Sequence, residues 1–186
     1  MQEKDNVLDI LERTKEAIKK GDVVLLKELS NRTTHTASIS QDPDNIAIAV
    51  IVYSLSKILE REQYKMYKGW NNFYKFYIDS IDNIIVAIKK NDDIRLKQSL
   101  EAIRNSIKKL SGDLKRDIQD VFRKASINKA SKIYEHGISM EKTASLLGVT
   151  MFELASYAGQ KEITESNLTR TVNVKDRIKL TMEMFA

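Results

Sequence analysis

Apolar residues recur along most of this chain at three- and four-residue steps, the spacing that keeps side chains on one face of an α-helix. Leu8, Leu11, Ala17 and Ile18 form such a stripe within the first twenty residues. Gly21 then offers a C-terminal cap and Asp22 an N-cap, so a short second helix is expected from Val23 to Ser30. The next segment, NRTTHTASISQDPDN, loses the pattern; it is polar and hydroxyl-rich, and reads as a loop. Asp42-Pro43 restarts a helix, with Asp as cap and Pro at the first helical position. The run IAIAVIVYSLSKILE has the β-branched content of a buried strand, but Leu55, Ile58 and Leu59 continue it at helical spacing and no partner strand is visible. A central, buried helix is the expectation.

Met66 to Lys90 reads as one long helix. Tyr67, Tyr74, Ile78, Ile81, Ile85 and Ile88 line one edge, and Trp70, Phe73, Tyr77 and Ile84 the edge beside it. So wide an apolar face calls for two neighbours at once. Interleaved with Lys65, Lys68 and Lys75, these aromatics have the composition of a base-stacking surface, although at helical spacing they are first of all core. EAIKKGDVVLLKEL at Glu16–Leu29 recurs as VAIKKNDDIRLKQSL at Val86–Leu100, with Asn91 in the place of Gly21. Each is a helix, a tight turn and a helix, either two similar hairpins or ordinary Lys-rich punctuation. Ser111-Gly112-Asp113 combines a stop with a cap and marks the best domain boundary. Beyond it, Leu114, Ile118, Val121, Phe122 and Ala125 make one helix, and Ile127 to His136 a second that closes at Gly137. After the segment that ends near Gly159, a polar link from Gln160 to Thr171 leads to a last helix capped by Asn173, with Val174, Ile178, Met182 and Phe185 on one side. The expected fold is all-α: an N-terminal helical bundle over residues 1–111, then a C-terminal tri-helical unit with a terminal helix over residues 112–186.

Composition narrows the functions. Of 186 residues 42% are hydrophobic and 31% charged, with one proline and six glycines, too few breakers for a many-stranded β fold. The absence of cysteine excludes disulfides, cysteine-based zinc sites and thiol catalysis. With only two histidines, a transition-metal site has almost nothing to be built from, and no metal or cofactor is expected. The first twenty residues are charged and amphipathic, unlike a signal peptide, and the longest apolar stretch, Ile46 to Tyr53, is far too short to cross a bilayer. A cytoplasmic protein without a membrane partner is expected. The formal net charge is +5 and the pI about 9.2, values that suit nucleic acid without requiring it. The excess lies between Arg104 and Lys132, where Lys108, Lys109, Lys115, Arg116, Arg123, Lys124 and Lys129 face few acids. Such a stretch is either a phosphate-contacting flank or a solvated helix face.

That flank precedes the most specific motif, SMEKTASLLGVTMFELASYAG. Ala144 is small where two helices would cross, Gly148 stands where the first helix ends, Val149 plugs the turn, and Leu147, Leu154 and Tyr157 would pack the pair. At Ala144, Gly148, Val149 and Leu154 the segment KASKIYEHGISMEKTASLLGVTMFELASYAG resembles the helix-turn-helix superfamily, and the resemblance implies a second helix that enters the DNA major groove. Its outward positions, Thr150, Met151, Phe152, Ala155 and Ser156, carry none of the Arg, Lys, Asn or Gln side chains that read base edges, so sequence-specific readout is not expected. The segments THTASISQDPDNIAIAVIVYSLSKILER and VNVKDRIKLTMEMF resemble uncharacterised archaeal helical proteins, which implies no activity.

Three readings follow. The leading one is a non-enzymatic nucleic-acid-binding regulator, for DNA rather than RNA. Its affinity would come from phosphate contacts by Lys115, Arg116, Arg123, Lys124, Lys129 and Lys132, with Thr150 and Ser156 orienting the second helix. The second is a protein-interaction module, antitoxin-like or a scaffold subunit, docking a partner or another copy through Met151 and Phe152. The third is an RNA-cleaving enzyme built on Arg32 and His35, which resemble the Arg and His of HEPN ribonucleases at a shorter spacing than usual. No second catalytic group is placed near His35 by the sequence. His136, before Gly137, suits a helix C-terminus, where the dipole favours imidazole charge.

Overall fold

The computed structural model describes residues 2–168, all helical apart from short connections. In chain order the helices are α1 (Lys4–Lys20), α2 (Val23–Ser40), α3 (Pro43–Leu59), α4 (Trp70–Lys89), α5 (Asp93–Lys109), α6 (Gly112–Glu135), α7 (Met140–Leu147) and α8 (Met151–Leu168), with a short 3₁₀ turn at Glu62–Met66. No strand occurs among the described residues. None of their helices is long and apolar enough to cross a membrane. The helix expected from Asn173 lies outside the described residues.

As its apolar run predicts, α3 is the central helix, burying Ile48, Ile51, Val52, Leu55 and Ile58. Both expected edges of α4 pack onto this core: Trp70, Phe73, Tyr77 and Ile84 from one, and Ile81, Ile85 and Ile88 from the other. The Tyr77 hydroxyl, fully enclosed, donates to the Ile51 carbonyl at 2.8 Å, which satisfies a polar atom that would otherwise be costly to bury. Trp70, Phe73 and Tyr77 are therefore core, while Tyr67 and Tyr74 are half-buried and Phe76 is exposed.

The repeated segments form the same turn twice. Gly21 and Asn91 both adopt left-handed backbone, at φ of 65° and 53°. In both turns the following Asp closes a bond to the carbonyl five residues back, Asp22 to Ala17 and Asp92 to Ala87, each at 2.9 Å. The same Asp side chains then cap the next helix, accepting from Leu25 and Arg95. The two hairpins meet through α1 and α4, which run antiparallel, with Lys15 on Asp82 at 2.5 Å and Lys89 on Glu12 at 2.6 Å.

Four expectations need correction. The hydroxyl-rich segment is not a loop: α2 continues without a break to Ser40. Its buried Thr33, Thr34, Thr36 and Ser38 donate to carbonyls three or four residues back in their own helix. Hydroxyls satisfied in this way need no partner outside the helix. Secondly, α4 starts at Trp70 rather than Met66, because Gly69 takes φ 91° and sets the chain at an angle. Thirdly, the two helices expected on either side of Ser126 are the single helix α6. Finally, α8 runs on through the expected polar link to Leu168.

The N-terminal half of α6 adds Leu114, Ile118 and Val121 to the main core. Its C-terminal half enters two small clusters, Ile133 with Ala37, Ile46 and Ile138, and Ala130 with Ala144 and Leu154.

Candidate nucleic-acid interface

Two helices and a three-residue turn organise this end of the molecule. Ser139 caps α7 by accepting from the Lys142 amide. Gly148 ends it at φ 65°, and the Val149 amide bonds the Ala144 carbonyl at 3.1 Å. Because Ala130 and Ala144 are small, α6 and α7 approach closely over the fully buried Leu154. Val149 and Leu147 pack onto this cluster, and the Tyr157 hydroxyl accepts from Asn128 at 2.9 Å.

Thr150 and Glu153 close a reciprocal cap on α8. The Glu153 amide donates to the Thr150 hydroxyl oxygen, and the Thr150 amide and hydroxyl donate to the Glu153 carboxylate. The order Thr-x-x-Glu is the sequence signature of that box, and it went unused in the reading of the sequence. These bonds, and then Arg123 beside them, hold the Glu153 carboxyl below its usual range. Thr150 is thereby engaged at both polar atoms and fixes the start of α8.

A cleft of about 520 Å³ lies between α3, α6 and α8. Tyr53, Phe152 and Tyr157 supply its rings; Lys57, Arg61 and Lys124 supply positive charge; Asn128, Ser156 and Gln160 add polar groups. Burial pushes the Tyr53 hydroxyl above its ordinary range, so that group stays a neutral donor. Phe152 is 82% exposed and Met151 beside it 54%, an unusual outlay of apolar surface at a helix start. Lys57 is held by Glu60 at 2.7 Å, Lys124 by Asp120 at 2.8 Å, and Arg61 donates to the Tyr64 hydroxyl at 2.6 Å. The two carboxylate pairs are i,i+3 and i,i+4 pairs near solvent, which open at little cost.

The cations expected to form one phosphate-binding flank are spread along α6, and most of them are engaged within the protein. Lys115 and Arg116 sit about 12–14 Å along the α6 axis from Lys124, and Arg116 is paired with Asp113 and Asp117. Arg123 bonds Glu153. Lys132 points to α2, where it donates to Asn31 at 2.7 Å. Lys129 requires the plainest correction: it is fully buried, donates to the Ser30 carbonyl at 3.2 Å and lies 4.4 Å from the Tyr53 ring centre. Enclosure, and secondarily the charge of Lys132, lowers its pKa to about 7. No phosphate reaches it. Of the expected nucleic-acid contacts, Lys124 and Ser156 meet in the cleft, beside Phe152, which was expected to dock a protein partner; they are joined by Tyr53, Lys57 and Arg61, which the sequence reading left unassigned. Their four-residue spacing on one side of α3 and its extension was the available signal.

Arg32 and His35 lie one turn apart on α2, but the Arg32 guanidinium is engaged elsewhere. It forms a salt bridge to Asp9 at 3.0 Å and a bond to Asn6. His35 instead has His136 beside it, with ring centres 5.8 Å apart. Compared with protein-family models, with curated proteins and with solved structures, the chain matches none.

Proposed function

We propose that the protein is a non-enzymatic nucleic-acid-binding protein that holds a single strand in the cleft between α3, α6 and α8. The observation that carries this reading is the exposed Phe152 ring at a cleft that also holds Tyr53, Tyr157, Lys57, Arg61 and Lys124. Aromatic platforms flanked by cations suit single strands, because every base has a face to stack and every nucleotide a phosphate to neutralise. A major groove about 12 Å wide accepts a helix that stands clear of its own domain, whereas Phe152 and Ser156 of α8 share their cleft with α3 and α6.

The test is fluorescence anisotropy with labelled single-stranded RNA, single-stranded DNA and duplex DNA across a salt series. Single strands should bind more tightly than duplex, with a log–log salt slope of about −2 for three phosphate contacts. Phe152→Ala, which removes a side chain that supports no core, should weaken binding by roughly 5- to 100-fold. Tight duplex binding indifferent to Phe152→Ala would return the reading to a groove-docking helix. No binding at low salt would leave Met151 and Phe152 as a protein-docking pair.

A further inference from the structure

The chain has two histidines, 101 residues apart in sequence, and the fold sets them edge to face on its surface, with ring centres 5.8 Å apart and planes at 60°. His35 lies one turn before the end of α2, and His136 is the residue that closes α6. Their meeting is imposed by the backbone. Here α2 and α6 run parallel, held by Lys129 on the Ser30 carbonyl at 3.2 Å and Lys132 on Asn31 at 2.7 Å, while beyond them Lys142 bonds Gln41. Both rings are exposed. Neither has a hydrogen-bond partner among the described residues, so all four ring nitrogens are open to an outside ligand.

We propose that His35 and His136 together bind one transition-metal cation of the Zn²⁺, Ni²⁺ or Cu²⁺ class, as a bridge between α2 and α6. Imidazole nitrogen is the commonest protein ligand for these ions, whereas Mg²⁺ and Ca²⁺ take oxygen. An imidazole nitrogen bonds such a cation at about 2.0–2.1 Å and stands about 1 Å out from its ring centre, so rings sharing one ion have centres about 5–6 Å apart. The observed separation of 5.8 Å falls in that range, and turning the two exposed rings about their side-chain torsions would aim one nitrogen of each at the ion. No set of three or more His, Cys, Asp or Glu gathers among the described residues, so water fills the remaining positions. His136 also sits at the negative end of the α6 dipole, which favours a cation. Lys132, one turn before His136 on α6, and Lys142, bonded to Gln41 at the end of α2, are like charges that oppose it, each already engaged by an amide oxygen. Because the bridge would close a long loop, binding should register as thermal stability.

The experiment titrates the full chain with NiCl₂, ZnCl₂ or MgCl₂, following heat by calorimetry and unfolding by circular dichroism. The expected result is one Ni²⁺ or Zn²⁺ per chain, a Tm rise of about 5 °C or more at a hundredfold excess over Kd, reversal by EDTA, and no response to Mg²⁺. His35→Gln and His136→Gln are surface changes that leave the apo melting curve in place. Each alone should abolish the Tm rise and weaken binding by about tenfold or more. Two ions per chain, with either variant retaining one, would mean independent single-histidine sites and overturn the bridge. So would a Tm rise that survives both substitutions, or no rise in the original chain.

Discussion

Helices α2 and α4 are of similar length and both bury a face against α3 or its neighbours, yet they are built from opposite materials. The buried face of α4 is Trp70, Phe73, Tyr77, Ile81 and Ile84. That of α2 begins with Leu26 and Leu29 and continues as Ser30, Thr33, Thr34, Thr36 and Ser38. The aromatic helix holds the bundle by contact area and one well-placed hydroxyl. In the hydroxyl helix Thr33, Thr34, Thr36 and Ser38 donate within the helix, the Ser30 hydroxyl is buried without a partner, and the small side chains offer surfaces against which α6 packs, including the aliphatic stem of Lys129. Burial is thus common to both, while the energy it brings is not.

The largest test of that difference is Tyr77→Ala against Thr34→Val, both by urea unfolding. Tyr77→Ala should cost about 3–5 kcal/mol through the cavity it leaves. Thr34→Val removes a hydroxyl whose only bond is to the Ser30 carbonyl of its own helix. That carbonyl keeps other donors, so the change should stay within about 1 kcal/mol. A Thr34→Val cost near that of Tyr77→Ala would mean that the hydroxyl face stabilises by more than local bonding, and the contrast would fail.

This contrast also explains what the sequence disclosed. Apolar periodicity made α3 and α4 legible because the residues that pack were the residues that look hydrophobic. In α2 the same stripe persists as Leu26, Leu29, Thr33 and Ala37, but hydroxyls in the register of a core were read as turn formers. Likewise Leu114, Ile118, Val121, Ala125 and Lys129 form one stripe of α6. Breaking that helix at Ser126 detached Lys129 from its register and made it look like a surface cation. The cleft was illegible for another reason. Tyr53 and Lys57 come from α3, Phe152 and Tyr157 from α8, and only tertiary packing joins them. His35 and His136 met by the same route, which no spacing rule could reveal.

Lys129 gives the second, intermediate effect. An exposed lysine releases its proton near pH 10.4, whereas this one, enclosed by Tyr53 and the Ser30 carbonyl with Lys132 nearby, does so at about 7. Between those values the unfolded chain binds more protons than the folded one, so stability rises with pH. Below about 7 both forms carry the proton and the penalty is constant. From pH 7 to 9 the gain should be about 2 kcal/mol. Lys129→Met keeps the stem's packing and removes the buried charge; it should raise stability at pH 7 by about 1–3 kcal/mol and flatten the profile. An unchanged slope in Lys129→Met would assign the pH dependence elsewhere.

The smallest effects belong to the two equivalent turns, where conformation can be separated from contact. Gly21 has no atom within 4 Å of where a Cβ would stand, so Gly21→Ala should cost about 1 kcal/mol from the left-handed backbone alone. Asn91 already carries a side chain in that conformation, at φ 53°, and accepts a bond from Lys4 at 2.9 Å. Asn91→Gly relieves the backbone but loses that exposed bond and loosens the unfolded chain, so the net change should lie within about 0.5 kcal/mol. Thermal melts of the two variants resolve this. A cost above about 2 kcal/mol for Gly21→Ala would show that the first turn is held by something beyond its φ angle, and the two hairpins would then be alike in hydrogen bonding but not in energy.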